Sequence, residues 1–114
     1  MENKNTEQNL RMQKLIALIG QERTPFIETG RKYDRIIVEG EVRYFVVRYD
    51  VSETVKSGDI FGAKSKLAPN FRWYFGNLEN VDKWDWSGYH GVPVSDASVV
   101  QSKGYGSYKH YQKI

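Results

Sequence analysis

The stretch that decides the fold is residues 34–51, DRIIVEGEVRYFVVRYDV. Its first arm is β-branched and apolar, its second arm is β-branched and aromatic, and Gly40 lies between them. Two runs of this kind around a short connection with glycine predict a β-hairpin. Successive side chains of the second arm point to opposite faces, and both faces are largely apolar. We therefore expect this strand to be central in a sheet and covered on both sides.

A helix is predicted ahead of the hairpin, over residues of about 7–19. Thr6 can cap its start, and Gly20 can end it in the left-handed conformation. Apolar residues recur at the spacing i, i+3, i+4 and i+7, which makes one stripe of Met12, Leu15, Ile16 and Ile19. We expect this stripe to pack on the sheet; the alternative is that it pairs with a second copy of the chain in a homodimer.

The segments after the hairpin carry weaker signals. DIFGA, residues 59–63, is predicted as a third strand, KLAPN, residues 66–70, as a loop, and FRWYF, residues 71–75, as a fourth strand. Asn77 can cap a short helix near residues 78–84. VSDASVV, further along, is a candidate for a last strand.

These elements predict an α+β fold. We expect one small domain over residues 1–114, built on a mainly antiparallel sheet at about residues 33–100. The N-terminal helix packs on one face of that sheet, and residues 21–32 form a link between the two. A basic tail rich in Gly, Tyr and Lys follows at residues 102–114.

Composition excludes several kinds of site. The chain has no cysteine, which rules out disulfides, thiolate catalysis and cysteine-based zinc sites. Its net charge is +3.

The N-terminus has no apolar signal core, and the longest aliphatic run, LIALI, is far shorter than the roughly 20 residues that span a bilayer. We expect a cytoplasmic protein with no membrane partner.

No catalytic motif is complete. GDIFGAKS resembles a phosphate-binding P-loop only in part, because Ser57 and Ala63 stand where that loop requires glycine. His90 and His110 have no metal-ligand spacing, and no nucleophile elbow is present. We therefore predict no catalytic residue, no metal ligand and no cofactor. An enzyme, such as a hydrolase or nuclease that uses His90 with nearby acids, is only the third hypothesis for function.

Aromatic residues are concentrated in FRWYFGNLENVDKWDWSGY, residues 71–89, which holds all 3 tryptophans of the chain. Strand alternation in FRWYF predicts that three rings face the core, those of Phe71, Trp73 and Phe75, and that Arg72 and Tyr74 point outward. Trp86 has two interpretations. It either closes the core from outside or lines a cleft as a half-exposed ring.

Basic residues accompany the outward rings, because residues 62–77 contain three cations and no acid. Rings beside cations can stack on bases and neutralise phosphates. The first hypothesis is therefore a non-enzymatic binding protein for a nucleotide or single-stranded nucleic acid. The second is a protein-binding module or inhibitor, of the kind that phages and mobile elements use as accessory proteins. The predicted ligand-binding residues are Lys64, Lys66, Arg72, Tyr74, Trp86, Tyr89, His90 and Lys109.

Overall fold

The computed structural model describes residues 3–20, 24–94, 99–102 and 110–113. A helix and a five-stranded antiparallel sheet form its main body, which confirms the α+β fold. The elements are α1 (Asn3–Gly20), β1 (Phe26–Thr29), β2 (Tyr33–Val38), β3 (Glu41–Val47), β4 (Asp59–Ser65), β5 (Ala68–Asn77), a 3-10 helix (Leu78–Lys83), β6 (Trp84–Asp85), β7 (Val92–Pro93), β8 (Val99–Ser102) and β9 (His110–Lys113).

The five-stranded sheet has the order β1-β2-β3-β4-β5, so β3 is central as predicted. Its hairpin with β2 turns at Glu39 and Gly40, whose φ angles of 54° and 82° both lie in the left-handed region. Two such residues form the tight turn whose twist matches that of the flanking strands. Asn and Gly are the usual pair there, so Glu39 carries some backbone strain at the turn.

Strand β1 was not predicted, because residues 21–32 were expected to be only a link. The strand is four residues long and lies at the sheet edge, where Phe26 is exposed and Ile27 is half-buried. A short, exposed edge strand has little hydrophobic alternation, and that alternation is what identifies a strand in a sequence.

Helix α1 covers one face of the sheet with its predicted stripe. Met12, Leu15 and Ile19 are buried in one cluster with Ile36 of β2 and Val46 of β3. Full burial of an aliphatic side chain of this size stabilises a fold by roughly 1.5–3 kcal/mol. The stripe is therefore part of the core, and the sheet is its packing partner.

The predicted short helix is confirmed as the 3-10 helix. The Asn77 side chain accepts a hydrogen bond from the Glu79 backbone N–H, and the Asn77 backbone N–H donates to the Asn80 side chain. This reciprocal cap satisfies backbone groups at the helix start. Leu78 and Val81 then face the core beside α1.

Strand β5 carries a wide bulge that overturns the predicted alternation of FRWYF. Phe61 of β4 pairs with Tyr74, whereas the next residue, Gly62, pairs with Asn70. Residues 71–73 are therefore extra residues with no partner on β4. Because a bulge resets which side chains share a face, Phe71 is half-exposed and Tyr74 is buried, the reverse of the prediction.

The segment 66–70 was predicted as a loop, and this too is corrected. Ser65 pairs with Ala68, so the β4–β5 connection is a two-residue turn at Lys66 and Leu67. Proline is depleted in strands, so Pro69 is a poor strand signal in the sequence. It is tolerated here in β5, which lies at the edge of the five-stranded sheet.

Strands β8 and β9 form a separate antiparallel ladder, in which Val99 pairs with Lys113 and Ser102 with His110, and β9 also contacts β5. The strand expected in VSDASVV corresponds to β8, and part of the predicted tail forms β9. Residues 95–98, 103–109 and 114 lie outside the described residues. Among the described helices, none is long and apolar enough to cross a membrane.

Candidate functional site

The face of the sheet opposite α1, here called the second face, carries a row of aromatic side chains. Phe45 of β3 pairs with Phe61 of β4, which pairs with Tyr74 of β5, so these rings lie side by side. Phe71 packs edge-on against Phe61 with their ring centroids 5.0 Å apart. Phe71 remains 48% exposed at the outer surface of the row. It is thus held in place by a buried ring while its outer side is open to solvent.

A groove of about 290 Å³ lies on this second face, and we call it the basic groove. Its walls combine the rings of Tyr33 and Phe45, whose centroids are 5.9 Å apart, with the side chains of three cationic residues. The lining residues are Gly30, Arg31, Lys32, Tyr33, Arg35, Phe45 and Leu67. Burial raises the pKa of the Tyr33 hydroxyl, with repulsion from Tyr49 adding to the shift, so the groove's phenol is neutral at physiological pH.

Arg35 fixes the geometry of the basic groove. Its guanidinium lies 2.8 Å from the Glu28 carboxylate and donates at 3.2 Å to the carbonyl of Lys66 in the β4–β5 turn. Arg31 and Lys32 are exposed, and neither forms a salt bridge with an acid in residues 7–20 or 24–94. Arg31 and Lys32 are therefore available to bind an anion, whereas Arg35 is already neutralised by Glu28.

Among the predicted cations in the described part of the chain, Lys66 has a contact that places it beside the groove. Lys64, Lys66 and Arg72 are all exposed. Leu67, which follows Lys66 in the chain, is 78% exposed. Lys66 adjoins the groove directly, because its own carbonyl binds Arg35 and its neighbour Leu67 lines the groove. The turn between β4 and β5 thus presents basic and apolar side chains together.

Two predicted ligand-binding rings are in the core instead of on the surface. Tyr74 is 4% exposed and packs against Phe61 at 5.7 Å between centroids. Trp86 is 3% exposed, and its indole N–H donates to the Val81 carbonyl at 2.8 Å. For Trp86 the interpretation as a core residue is correct. Neither ring offers a face on which a ligand can stack.

Tyr89 and His90 lie together at a second site, which we call the ring pocket. It is a cavity of about 180 Å³ lined by Glu41, Val42, Arg43, Ala63, Trp73, Tyr89 and His90. The pairing between β3 and β4 runs from Val46↔Ile60 to Tyr44↔Gly62, and both strands continue beyond it. The ring pocket lies where that pairing stops.

A hydrogen-bond network closes one side of the ring pocket. The Arg43 guanidinium stacks 3.7 Å from the centre of the Tyr89 ring, donates to the Tyr89 carbonyl at 3.1 Å and donates to Glu41 at 3.1 Å. The Tyr89 hydroxyl donates to the same Glu41 oxygen. This bond, with that from Arg43, lowers the pKa of Glu41, and it raises the pKa of Tyr89.

Sequence reasoning missed most of the groove residues. Tyr33 and Arg35 lie on β2, the first strand of the hairpin, and alternate with the buried Ile36, so their period-2 spacing was the available signal. Arg31 and Lys32 fell in the segment that was interpreted as a link. Lys109, the remaining predicted site residue, lies outside the described residues.

A larger cleft of about 680 Å³ lies between α1 and the segment after β3. Its lining mixes both signs of charge, with Glu7, Asp50 and Glu79 beside Arg11 and Lys56. This cleft lacks the uniform charge of an anion-binding surface. Within the described residues, no group of three or more His, Asp or Glu side chains is placed to hold a metal ion.

Comparison with known proteins gives no match to a family model, to a curated protein or to a solved structure. The geometry of the second face is therefore the basis for assigning a function.

Proposed function

We propose that the protein binds single-stranded nucleic acid, or a nucleotide as its shortest form, on the second face of the sheet. The observation that carries this proposal is the half-exposed ring of Phe71, whose centroid lies 6.4 Å from that of Tyr33 in the wall of the basic groove. The groove's cations Arg31 and Lys32 have no acidic partner among the described residues. Lys66 borders the same surface at the β4–β5 turn.

The chemistry of this surface suits an alternating chain of bases and phosphates. An aromatic ring stacks on any base and contributes about 1–3 kcal/mol per base, whereas lysine and arginine neutralise phosphates. The stacking ring in this proposal is Phe71 and not Tyr74, because Phe71 is half-exposed and Tyr74 is buried. Phe71 is held by Phe61 beneath it, so little conformational entropy is lost when a base packs on its outer side.

Salt dependence tests this proposal. We expect the affinity for fluorescein-labelled heptauridylate to fall as salt rises, with a logarithmic slope of about −0.7 for each phosphate neutralised. Lys32→Ala should flatten the slope by about one phosphate. Lys83→Ala is the matched control, because this substitution removes the same charge from an exposed lysine of the 3-10 helix, on the α1 side. Equal effects of the two variants would contradict the proposal.

A protein partner is the alternative, favoured by the exposed apolar side chains of Leu67 and Phe71. A protein interface centred on such residues depends far less on salt than phosphate binding does. Affinity for a protein that persists unchanged from low to high salt, without any oligonucleotide binding, would favour this second function. The hydrolase hypothesis around His90 stays a prediction.

A further inference from the structure

The ring pocket has a different chemistry from the basic groove, and its walls are planar. Trp73, Tyr89 and His90 supply three aromatic walls, with the Trp73 and His90 centroids 5.6 Å apart. Trp73 is positioned by Gly62, where an added Cβ would come within 2.6 Å of the Trp73 ring. A volume of 180 Å³ equals about six water molecules. That space suits one planar heterocycle and is too small for a whole nucleotide.

The charge that a ligand would meet in this pocket is negative. The Arg43 side chain is only 5% exposed and is engaged by Glu39, Glu41 and the Tyr89 carbonyl, whereas the Glu41 side chain is 56% exposed. The bonds that Glu41 accepts from Tyr89 and Arg43 both reach Oε1, and no described residue bonds Oε2. The lowered pKa of Glu41 keeps it a carboxylate at neutral pH.

A carboxylate at the edge of an aromatic pocket accepts hydrogen bonds from a planar group that carries N–H donors. Among the bases, guanine presents two adjacent donors, N1–H and the N2 amino group, on its Watson–Crick edge. Adenine and cytosine place an acceptor nitrogen beside their amino group, and uracil flanks its single N–H with carbonyl oxygens. Single-stranded RNA is read in this way, by stacking of splayed bases and by hydrogen bonds to their edges.

We propose that the ring pocket selects a guanine base, with Glu41 accepting from its Watson–Crick edge and the three rings enclosing its plane. This inference rests on the proposed function, because the pocket then reads one base of a strand whose phosphates follow the second face. Arg43, which lines the pocket, and Phe45, which lines the groove, lie two residues apart on β3.

Heptamers with one variable central base test this inference. We expect a uridine heptamer with central guanine to bind roughly 10- to 100-fold more tightly than one with central adenine, the range for one bidentate contact between a side chain and a base. Hypoxanthine, which keeps N1–H and lacks the amino group, should give an intermediate affinity. Glu41→Gln should abolish the preference for central guanine over central adenine.

Glu39→Gln is the matched control, because Glu39 also contacts Arg43 but does not line the pocket. A wild-type protein that binds all heptamers equally, or a Glu41→Gln variant that retains the preference, would overturn the guanine pocket and leave the proposed function standing. Loss of the proposed function would appear differently, as an absence of binding to every heptamer at low salt. Binding of an arginine-rich peptide that guanosine monophosphate does not displace would assign the pocket to a protein partner instead and overturn the inference.

Discussion

Replacing Trp86 by Phe separates the core role of this ring from a role in binding. The indole N–H donates to the buried carbonyl of Val81. That carbonyl also accepts from the Trp84 backbone N–H, so loss of the indole donor costs one hydrogen bond, about 0.5–1.5 kcal/mol, and leaves no unsatisfied acceptor. The six-membered ring packs directly on Gly91, where an added Cβ would lie 2.7 Å from it. A phenyl ring leaves part of this space empty, which adds on the order of 1–2 kcal/mol.

The free energy of unfolding should therefore fall by about 1.5–3.5 kcal/mol in Trp86→Phe. Urea denaturation followed by far-ultraviolet circular dichroism measures this change, since a slope of about 1–3 kcal/mol per molar urea converts it to a lower midpoint. Phe71→Ala is the contrasting variant. Removal of this half-exposed ring should lower the free energy of unfolding by less than Trp86→Phe does, and should weaken oligonucleotide binding by more. A Trp86→Phe protein that keeps its stability but loses the oligonucleotide would refute the assignment of Trp86 to the core.

Two further predictions concern the ring pocket. Gly62→Ala should lower the thermal midpoint, measured by calorimetry, because the new methyl would lie 2.6 Å from the Trp73 ring and must displace it; an unchanged midpoint would show that Trp73 does not depend on Gly62. The bond between Glu41 and Tyr89 should stabilise the fold between the ordinary pKa values of these groups, 4.5 and 10.0. Because folding lowers the pKa of Glu41, the stabilisation by the Glu41 carboxylate is present above pH 4.5 and is lost as the pH falls through the folded-state pKa of Glu41. Because folding raises the pKa of Tyr89, the stabilisation by the Tyr89 hydroxyl is present below pH 10.0 and is lost as the pH rises through the folded-state pKa of Tyr89. Urea midpoints of wild type and Tyr89→Phe across this range measure the effect, and parallel pH profiles would contradict it.

The parts of the fold that sequence predicts best are those with local, periodic signals. The stripe of α1 and the β2–β3 hairpin each bury one continuous set of apolar side chains, so their spacing identifies them. Asn77 likewise marks the start of the 3-10 helix by a local hydrogen bond.

The errors arise where pairing between strands decides the outcome. The bulge at residues 71–73 depends on the register between β4 and β5, and no local pattern reports that register. The bulge exposes Phe71 and buries Tyr74, the reverse of the predicted arrangement, so the exposed ring of the candidate site lies three residues earlier in the chain. The basic groove is equally non-local, because it joins Arg31 and Lys32 to Leu67 across the sheet.

Perturbation of backbone amide resonances during titration with heptauridylate at low salt tests the proposed function most directly. We expect the largest shifts at Lys32, Tyr33, Leu67 and Phe71, which belong to the second face, and small shifts along α1, on the opposite face. Shifts confined to α1 and the mixed-charge cleft, or no shifts at all, would contradict the proposal that nucleic acid binds on the second face.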